Sequence, residues 1–376
     1  MTLLYLIAGE QSGDVLGARL MRAIAARRPD IEFAGIGGEA MAAQGLASLF
    51  PMRELALMGL LEVLPQLRRL RARLRQTAED IAARRPDVVV TIDSPSFTHR
   101  ILRTIAPLGI PRVHYVAPQV WAWREGRVKH YPGLWDRLLC LLPFEPDYFA
   151  GHNLPAVFVG HPVLESGAET GDAARFRTRH GLAEDARILT VMPGSRRTEV
   201  SRLLPILGET LKRLPAGLVP VVPVARTVAE AVHAGTASWP VSPILVSETE
   251  EKHDAFAASA AALTKSGTST LELALAGVPM VVTYRVNPLT AMIATRLVKV
   301  KYVSVLNLIA GRELIPELIQ ADCTPERLAW VLNGLLTDSA VAEAQRAAVA
   351  APLAALRPPG GLLPSEAAAE AVLALL

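Results

Sequence analysis

Short apolar runs that do not alternate with polar residues recur along this chain, and they restrict its fold more than any other feature. LLYLIA at Leu3–Ala8 and VVVTI at Val88–Ile92 offer no solvent face. Each must be buried on both sides, the condition of a strand in a parallel sheet covered by helices. Runs of the same kind fall at Glu32–Gly35, Arg112–Val116, Leu138–Leu142 and Val157–Val159. They resume at Ile188–Met192, Leu218–Val224, Ile244–Val246, Ala262–Thr264 and Pro279–Tyr284. Helical spacing separates them: Leu16, Leu20, Ala23 and Ile24 share one face, fit to pack on a sheet. The expected class is α/β with doubly wound, Rossmann-like sheets.

The rhythm lapses once. From His161 to Asp185 the chain is polar and without strand character, which reads as the connection between two domains. With 376 residues the chain also exceeds the ~250–300 at which one core stops growing. The expected domains are 1–165 and 166–350, with 351–376 a final helix that crosses back after the turn RPPGGLLPSE. Doubly wound sheets bind ligands at the carboxyl ends of their strands, so two such halves are expected to face one another across a cleft.

Composition excludes several classes. Apolar residues make up 51% and charged residues 20%, which suits a filled interior and not disorder. A net charge of +3 is too weak to imply a nucleic-acid partner. Cys140 and Cys323 lack metal spacing and read as buried, reduced thiols. MTLLYLIAG has no basic leader, so it reads as a strand, not a signal peptide. No run approaches the ~18 apolar residues of a membrane span, so a soluble or peripheral protein is expected.

Polar chemistry collects where strands end. LYLIAGEQSGDVLG breaks from a buried strand into Glu10, Ser12 and Asp14 between glycines that allow close approach to the backbone. A helix N-cap is the alternative reading of Asp14. VVVTIDSPSF ends in Asp93, either a carboxylate facing the ligand or the cap of a helix near Phe97. TVMPGSRRTEV carries Gly194, Ser195 and Arg196 at a strand–helix junction, where free N–H groups and a guanidinium suit phosphate. Two solvated arginines on a tight turn are the alternative.

ALTKSGTSTLELALAGVPMVV repeats that design with Ser266, Gly267 and Thr268. Glu272 follows one helical turn later, either accepting from ribose hydroxyls or closing a capping box. Neither turn is a Walker sequence, no G-x-G-x-x-G follows a strand, and the chain has no D-x-D. The expectation is a nucleotide held by helix dipoles and arginine, with no metal and no cofactor. HYVAPQVWAWREGRV sets Trp121 and Trp123 beside Arg124, either as core packing or to shape a sugar site.

Together GEQSGD, ALMGLLEVLPQL, IDSPSF, HYVAPQVWAWR, LPFEPDYF, FVGHP, PGSRRTEV, SGTSTLELALAGVPMVV and YVSVLNLIAGRELIPELIQ closely resemble the lipid-A-disaccharide synthase family, in consistent order from about Leu3 to Glu317. The resemblance implies a GT-B-type glycosyltransferase. It would condense a UDP-2,3-diacylglucosamine donor with a 2,3-diacylglucosamine 1-phosphate acceptor, release UDP and invert the anomeric centre. It implies Asp93 as general base, with Glu10, Ser12 and Asp14 on the acceptor side. Arg196, Glu272 and Asn307 match positions on the donor nucleotide side. The family commonly has Pro-Asp-Phe where this chain has Ser96, which removes a second carboxylate and leaves Asp93 the better base. The alternatives are another nucleotide-sugar enzyme of this architecture, such as an epimerase, or a non-catalytic nucleotide-sugar-binding protein.

Acylated substrates need a greasy surface. Leu60, Val63, Leu64, Leu67, Leu70 and Leu74 keep helical spacing, with Arg68, Arg69, Arg71, Arg73 and Arg75 between them. Residues 60–86 carry a net +4, more than the whole chain. Such a helix can lie in an anionic interface, so peripheral association with the cytoplasmic face of the inner membrane is expected. A domain helix with a solvated basic face is the alternative.

Overall fold

The computed structural model describes residues 2–55, 63–287, 292 and 298–376, with the side chains of 63–67 excepted. The chain divides into two compact units, Met1–Pro162 with Leu356–Leu376, and Val163–Ala355.

The first unit opens with β1 (Leu3–Ala8), α1 (Gln11–Arg27), β2 (Glu32–Ile36), α2 (Glu39–Ala42), α3 (Val63–Arg84), β3 (Val88–Ile92) and α4 (Pro95–Ile105). It continues through β4 (Arg112–Tyr115), β5 (Arg137–Cys140), α5 (Glu145–Ala150) and β6 (Ala156–Phe158). Among the described residues these strands form one parallel sheet in the order β2-β1-β3-β4-β5-β6. β1 and β3 are buried along nearly their whole length, as strands covered on both faces must be.

The second unit holds α6 (Ala173–Arg179), β7 (Arg187–Met192), α7 (Arg197–Leu211), β8 (Leu218–Pro223), α8 (Ala229–Thr236), β9 (Ile244–Val246), α9 (Thr249–Ala258) and β10 (Ser259–Lys265). There follow α10 (Ser269–Leu275), β11 (Met280–Tyr284), α11 (Val305–Ala310), β12 (Glu317–Ile319), α12 (Pro325–Thr337) and α13 (Ser339–Ala354). Its sheet is also parallel, in the order β12-β11-β10-β7-β8-β9. The last helix, α14 (Pro364–Leu373), belongs to the first unit. Its Ala368, Ala369 and Val372 share a core cluster with Leu20 and Ile24 of α1, and the Ala371 carbonyl accepts from Arg137 Nη1 at 2.7 Å.

Both sheets reverse their winding once. In the first unit the reversal lies between β1 and β3, in the second between β7 and β10. Loops leaving adjacent strands diverge there and open a crevice at the carboxyl ends.

Two readings of the sequence change. The polar stretch 161–185 is partly helical: Asp172 caps α6 by accepting from Arg175 N at 3.0 Å, and Phe176 is buried. The strand β12 goes unread in the sequence, because Glu317 opens it and Gln320 follows it, leaving no unbroken apolar run.

The apolar stripe around 60–75 is also corrected where it is described. Leu70 and Ile81 are buried in the sheet-side core, with Leu74 and Ala78 packed against it. Glu54 binds Arg69 at 3.1 Å and Arg73 at 2.8 Å, and Tyr5 Oη donates to Asp80 at 2.8 Å. Packing of α3 on the domain consumes the described part of that stripe, Leu70 and Leu74. Leu60 and the side chains of Val63, Leu64 and Leu67 lie outside the described residues.

Candidate active site

In the first unit the parallel register sets Ala8 opposite Ile92, so the loops beginning at Gly9 and Asp93 leave the sheet side by side. Glu10 takes the N-cap position of α1 and is exposed, as is Ser12 in the first turn. Asp14 is different. It is buried and accepts from the backbone N–H of Gly38, Ala40 and Met41 at 2.7, 2.9 and 3.1 Å. Its carboxylate therefore holds the start of α2 and neither faces a ligand nor caps its own helix.

Asp93 is pinned by backbone bonds. Its N–H donates to the Tyr115 carbonyl at 2.9 Å, and its carbonyl accepts from Thr98 Oγ1 at 2.7 Å. Ser94 occupies the cap position of α4, and no side-chain cap bond is made there, so the Asp93 carboxylate is not spent on capping the helix. Burial raises its pKa above the ordinary aspartate value, opposed by the Ser94 backbone N–H.

Asp93 lines a cavity of about 1030 Å³ contained in the first unit. Ser96, His99, Arg100 and Arg103 enter it from one face of α4, at spacings of three and four residues. The segment after β4 closes it with Gln119, Trp123, Arg124, Arg127, His130 and Tyr131. Asp93, Val116 and Arg124, all lining residues, hold left-handed backbone at φ 50°, 81° and 57°. Such conformations cost on the order of 1–3 kcal/mol each and cluster where geometry serves function. For β-branched Val116 the strain is greatest.

Behind the arginines lie neutral histidines. Burial lowers the pKa of His99 to about 4, and His114, fully inside, is lowered well below its ordinary value. The two rings meet edge to face at 4.9 Å, and His114 stacks on Trp135 at 5.5 Å. Thr91 Oγ1 donates to the Val113 carbonyl at 3.1 Å and lies 2.8 Å from His114 Nδ1. That network assigns the imidazole proton to Nδ1 and leaves Nε2 a bare acceptor.

The two neighbouring tryptophans sit differently. Trp121 is structural: its Nε1 donates to buried Glu145 at 3.1 Å and its ring packs on Phe144. Trp123 is exposed in the cavity wall, with the Arg124 guanidinium 4.4 Å above its ring.

In the second unit Thr264 of β10 lies opposite Met192 of β7, so both glycine turns leave the sheet at its point of reversal. Gly194 has φ 115°, and a Cβ there would meet Glu199 Oε2 at 2.5 Å. Glu199, which sequence reasoning missed, is buried and central. It pairs with Arg196 at 3.1 Å and Lys265 at 3.7 Å, and accepts from Ser195 N at 3.3 Å. This carboxylate joins the two turns, and with Lys265 it places a second cation beside Arg196. Only the N-terminal acid position on α7 hinted at it.

Ser266 Oγ donates to the Val303 carbonyl at 2.8 Å, and Gly267 has φ 149°. Thr268 is exposed at the N-cap of α10 and makes no side-chain cap bond. Glu272 does not complete a capping box with it; its carboxylate accepts from Lys252 at 2.8 Å. Asn307 is fully buried. Its amide donates to Ile315 O and Glu317, and its oxygen accepts from Leu314 N and Ile315 N, all within 3.0 Å. Its four bonding positions are filled, so its side chain orders this loop and has no group left for a nucleotide.

A family model described as lipid-A-disaccharide synthetase matches residues 4–358. The lipid-A-disaccharide synthase of Granulibacter bethesdensis is 57% identical over 387 residues, covering 100% of this chain and 98% of the relative. That of Gluconobacter oxydans is 56% identical over 376 residues, covering 99% and 90%. Among solved structures, the UDP co-structure of S. aureus MnaA matches at TM-score 0.66 and 13% identity, over 97% of this chain and 94% of that one. Acinetobacter baumannii MurG matches at TM-score 0.60 and 14% identity, over the full length of both. At such identities the likeness is one of fold, the two Rossmann-like domains of the GT-B type.

Proposed function

The chain belongs to the lipid-A-disaccharide synthase family, and from that premise we propose that Asp93 is the base of a direct displacement between two acylated glucosamines. Family membership makes the protein a disaccharide-forming glycosyltransferase of lipid A biosynthesis that draws on a UDP-sugar. The donor in this reading is UDP-2,3-diacylglucosamine and the acceptor 2,3-diacylglucosamine 1-phosphate.

The acceptor's 6-hydroxyl gives its proton to the Asp93 carboxylate as its oxygen attacks the anomeric carbon. The bond from that carbon to the UDP oxygen breaks, and the centre inverts. The observation that carries this assignment is the placement of Asp93. It is a half-buried carboxylate at the carboxyl end of β3, uncommitted to its helix, with its pKa raised by burial. Glu10 and Ser12, exposed on the adjacent loop, would orient the acceptor or steady the transferring sugar.

On the second unit the leaving diphosphate is held by Arg196, the backbone of Gly194 and Ser195 at the start of α7, and the turn Ser266–Gly267–Thr268. Lys265 adds charge beside them. Glu272 reaches the ribose only by sharing or releasing Lys252. Asn307 supports the site through its loop.

Among the described residues no helix is long and apolar enough to cross a membrane. Peripheral association with an anionic inner-membrane surface is part of this proposal, supported by the exposed Arg68, Arg69, Arg71 and Arg75 of α3. The deciding assay is UDP release from the donor with and without the monosaccharide acceptor. Release that ignores the acceptor overturns the reading.

A further inference from the structure

The cavity beside Asp93 carries a charge pattern that proton transfer does not require. Arg100, Arg103, Arg124 and Arg127 all line it, and Asp93 is its one acidic lining residue. Among the described residues none of the four guanidiniums forms an ion pair, whereas Arg28 and Arg112 in the same unit sit against Asp30 and Asp136. Two are partly oriented: Arg103 Nη2 donates to the His130 carbonyl at 3.2 Å, and Arg124 lies over Trp123. Four guanidiniums against one carboxylate around one concavity create a net positive field that favours an anion. Guanidinium forks suit the oxygens of a phosphate group.

We propose that Arg100, Arg103 and Arg127, with Arg124 on the Trp123 wall, form the subsite for a sugar phosphomonoester, and that this is where the acceptor's 1-phosphate is read. The inference rests on the acceptor assignment made above and adds which residues select for the phosphate. The neutral His99 and His114 behind the rim add no charge, so the four arginines outweigh Asp93 and set the sign of the field. A phosphate held at the rim keeps the attached sugar in the same cavity as the Asp93 carboxylate, which makes the subsite a positioning device as well as a selective one.

The test compares wild type with Arg100→Ala/Arg127→Ala and Arg100→Lys/Arg127→Lys, using the phosphorylated acceptor and the same lipid without its phosphate. Wild type should prefer the phosphorylated acceptor in kcat/KM by tenfold or more. The alanine pair should lose about ten- to hundredfold on it, the range for charged hydrogen bonds, and its preference should collapse towards one. The lysine pair should recover part of the preference. Equal losses on both acceptors, or none, overturn the subsite. Wild type that releases no UDP with either acceptor overturns instead the reading of the reaction.

A binding arm is independent of turnover. Glucosamine 1-phosphate titrated by calorimetry should bind wild type and weaken at least tenfold in the alanine pair, while glucosamine does not bind. Inorganic phosphate that binds as tightly as glucosamine 1-phosphate, or a sugar phosphate indifferent to the arginines, overturns the proposal.

Discussion

Gly9 and Ser94 approach so closely that a Cβ on Gly9 would fall 2.4 Å from Ser94 Oγ and 2.7 Å from Ser94 Cβ. The two loops at the sheet reversal are therefore in register only while position 9 has no side chain. Gly9→Ala should push Ser94 away and shift Asp93 with it, cutting kcat at least tenfold with little change in UDP affinity. Ser94 has φ 48°, a conformation open to glycine. Gly9→Ala/Ser94→Gly should thus recover much of the activity, and failure to recover would show that the contact does not act through Ser94.

Asp93→Asn keeps the size of the side chain and removes the base. Turnover should fall on the order of 10²–10⁴-fold while folding and UDP binding stay near wild type. The acidic limb of wild-type kcat/KM should lie above the ordinary aspartate range, because burial raises the Asp93 pKa. It should be missing from the residual activity of the variant. A fully active Asp93→Asn protein moves the search to Glu10.

Arg196 is largely exposed and tethered to Glu199 at 3.1 Å. Arg196→Ala should weaken UDP binding by about 1.5–3 kcal/mol, the range for a charged hydrogen bond. Gly194→Ala sets a methyl against Glu199 at φ 115°, and should weaken UDP binding with Arg196 still present. Calorimetry of UDP binding checks both, and unchanged affinity in folded Arg196→Ala removes that residue from the site.

Stability should depend on pH through the buried histidines of the first unit. His99 and His161 both titrate near 4 when folded, through burial, against about 6.5 unfolded. Between those values the unfolded chain binds more protons, so their contribution is present above 6.5 and lost as pH falls towards 4, up to about 3 kcal/mol each. Glu145 works in the opposite sense. Burial pushes it up to about 7, so its contribution is full below its ordinary value and lost as pH rises through 7. Urea denaturation should show His99→Gln flattening the acid slope. Glu145→Gln should gain relative to wild type as pH rises from about 4.5 to 7.

On α3, charge and packing are separable. Leu70 is 4% exposed, so Leu70→Ser should destabilise the protein by about 2–5 kcal/mol, read as a lower Tm, whatever the surface does. Arg68→Glu/Arg71→Glu leaves the core untouched and should reduce co-sedimentation with anionic vesicles at low salt, with Tm nearly unchanged. Wild type that fails to pellet under those conditions removes the interface from the proposal.

The sequence by itself determined the two-sheet α/β fold, because burial on both faces of a strand forces an unbroken apolar run, and such a run is visible residue by residue. It also marked Glu10, Asp93, Arg196 and Ser266, since strand-end turns advertise themselves by glycine, proline and small polar residues. What those residues touch was decided only in three dimensions. Asp14 reads as a loop or cap residue, yet its partners lie 24 to 27 positions away. The family resemblance puts Asn307 on the nucleotide side, yet its own loop fills its bonding positions. Glu199 and Lys265 join turns that are distant in sequence but neighbours in the sheet. The four arginines come from α4 and from the segment after β4, which converge because β3 pairs with β4. Periodicity reports how deeply each residue is buried. Strand order decides which loops meet, and it is set by packing across the whole sheet, which no local pattern carries.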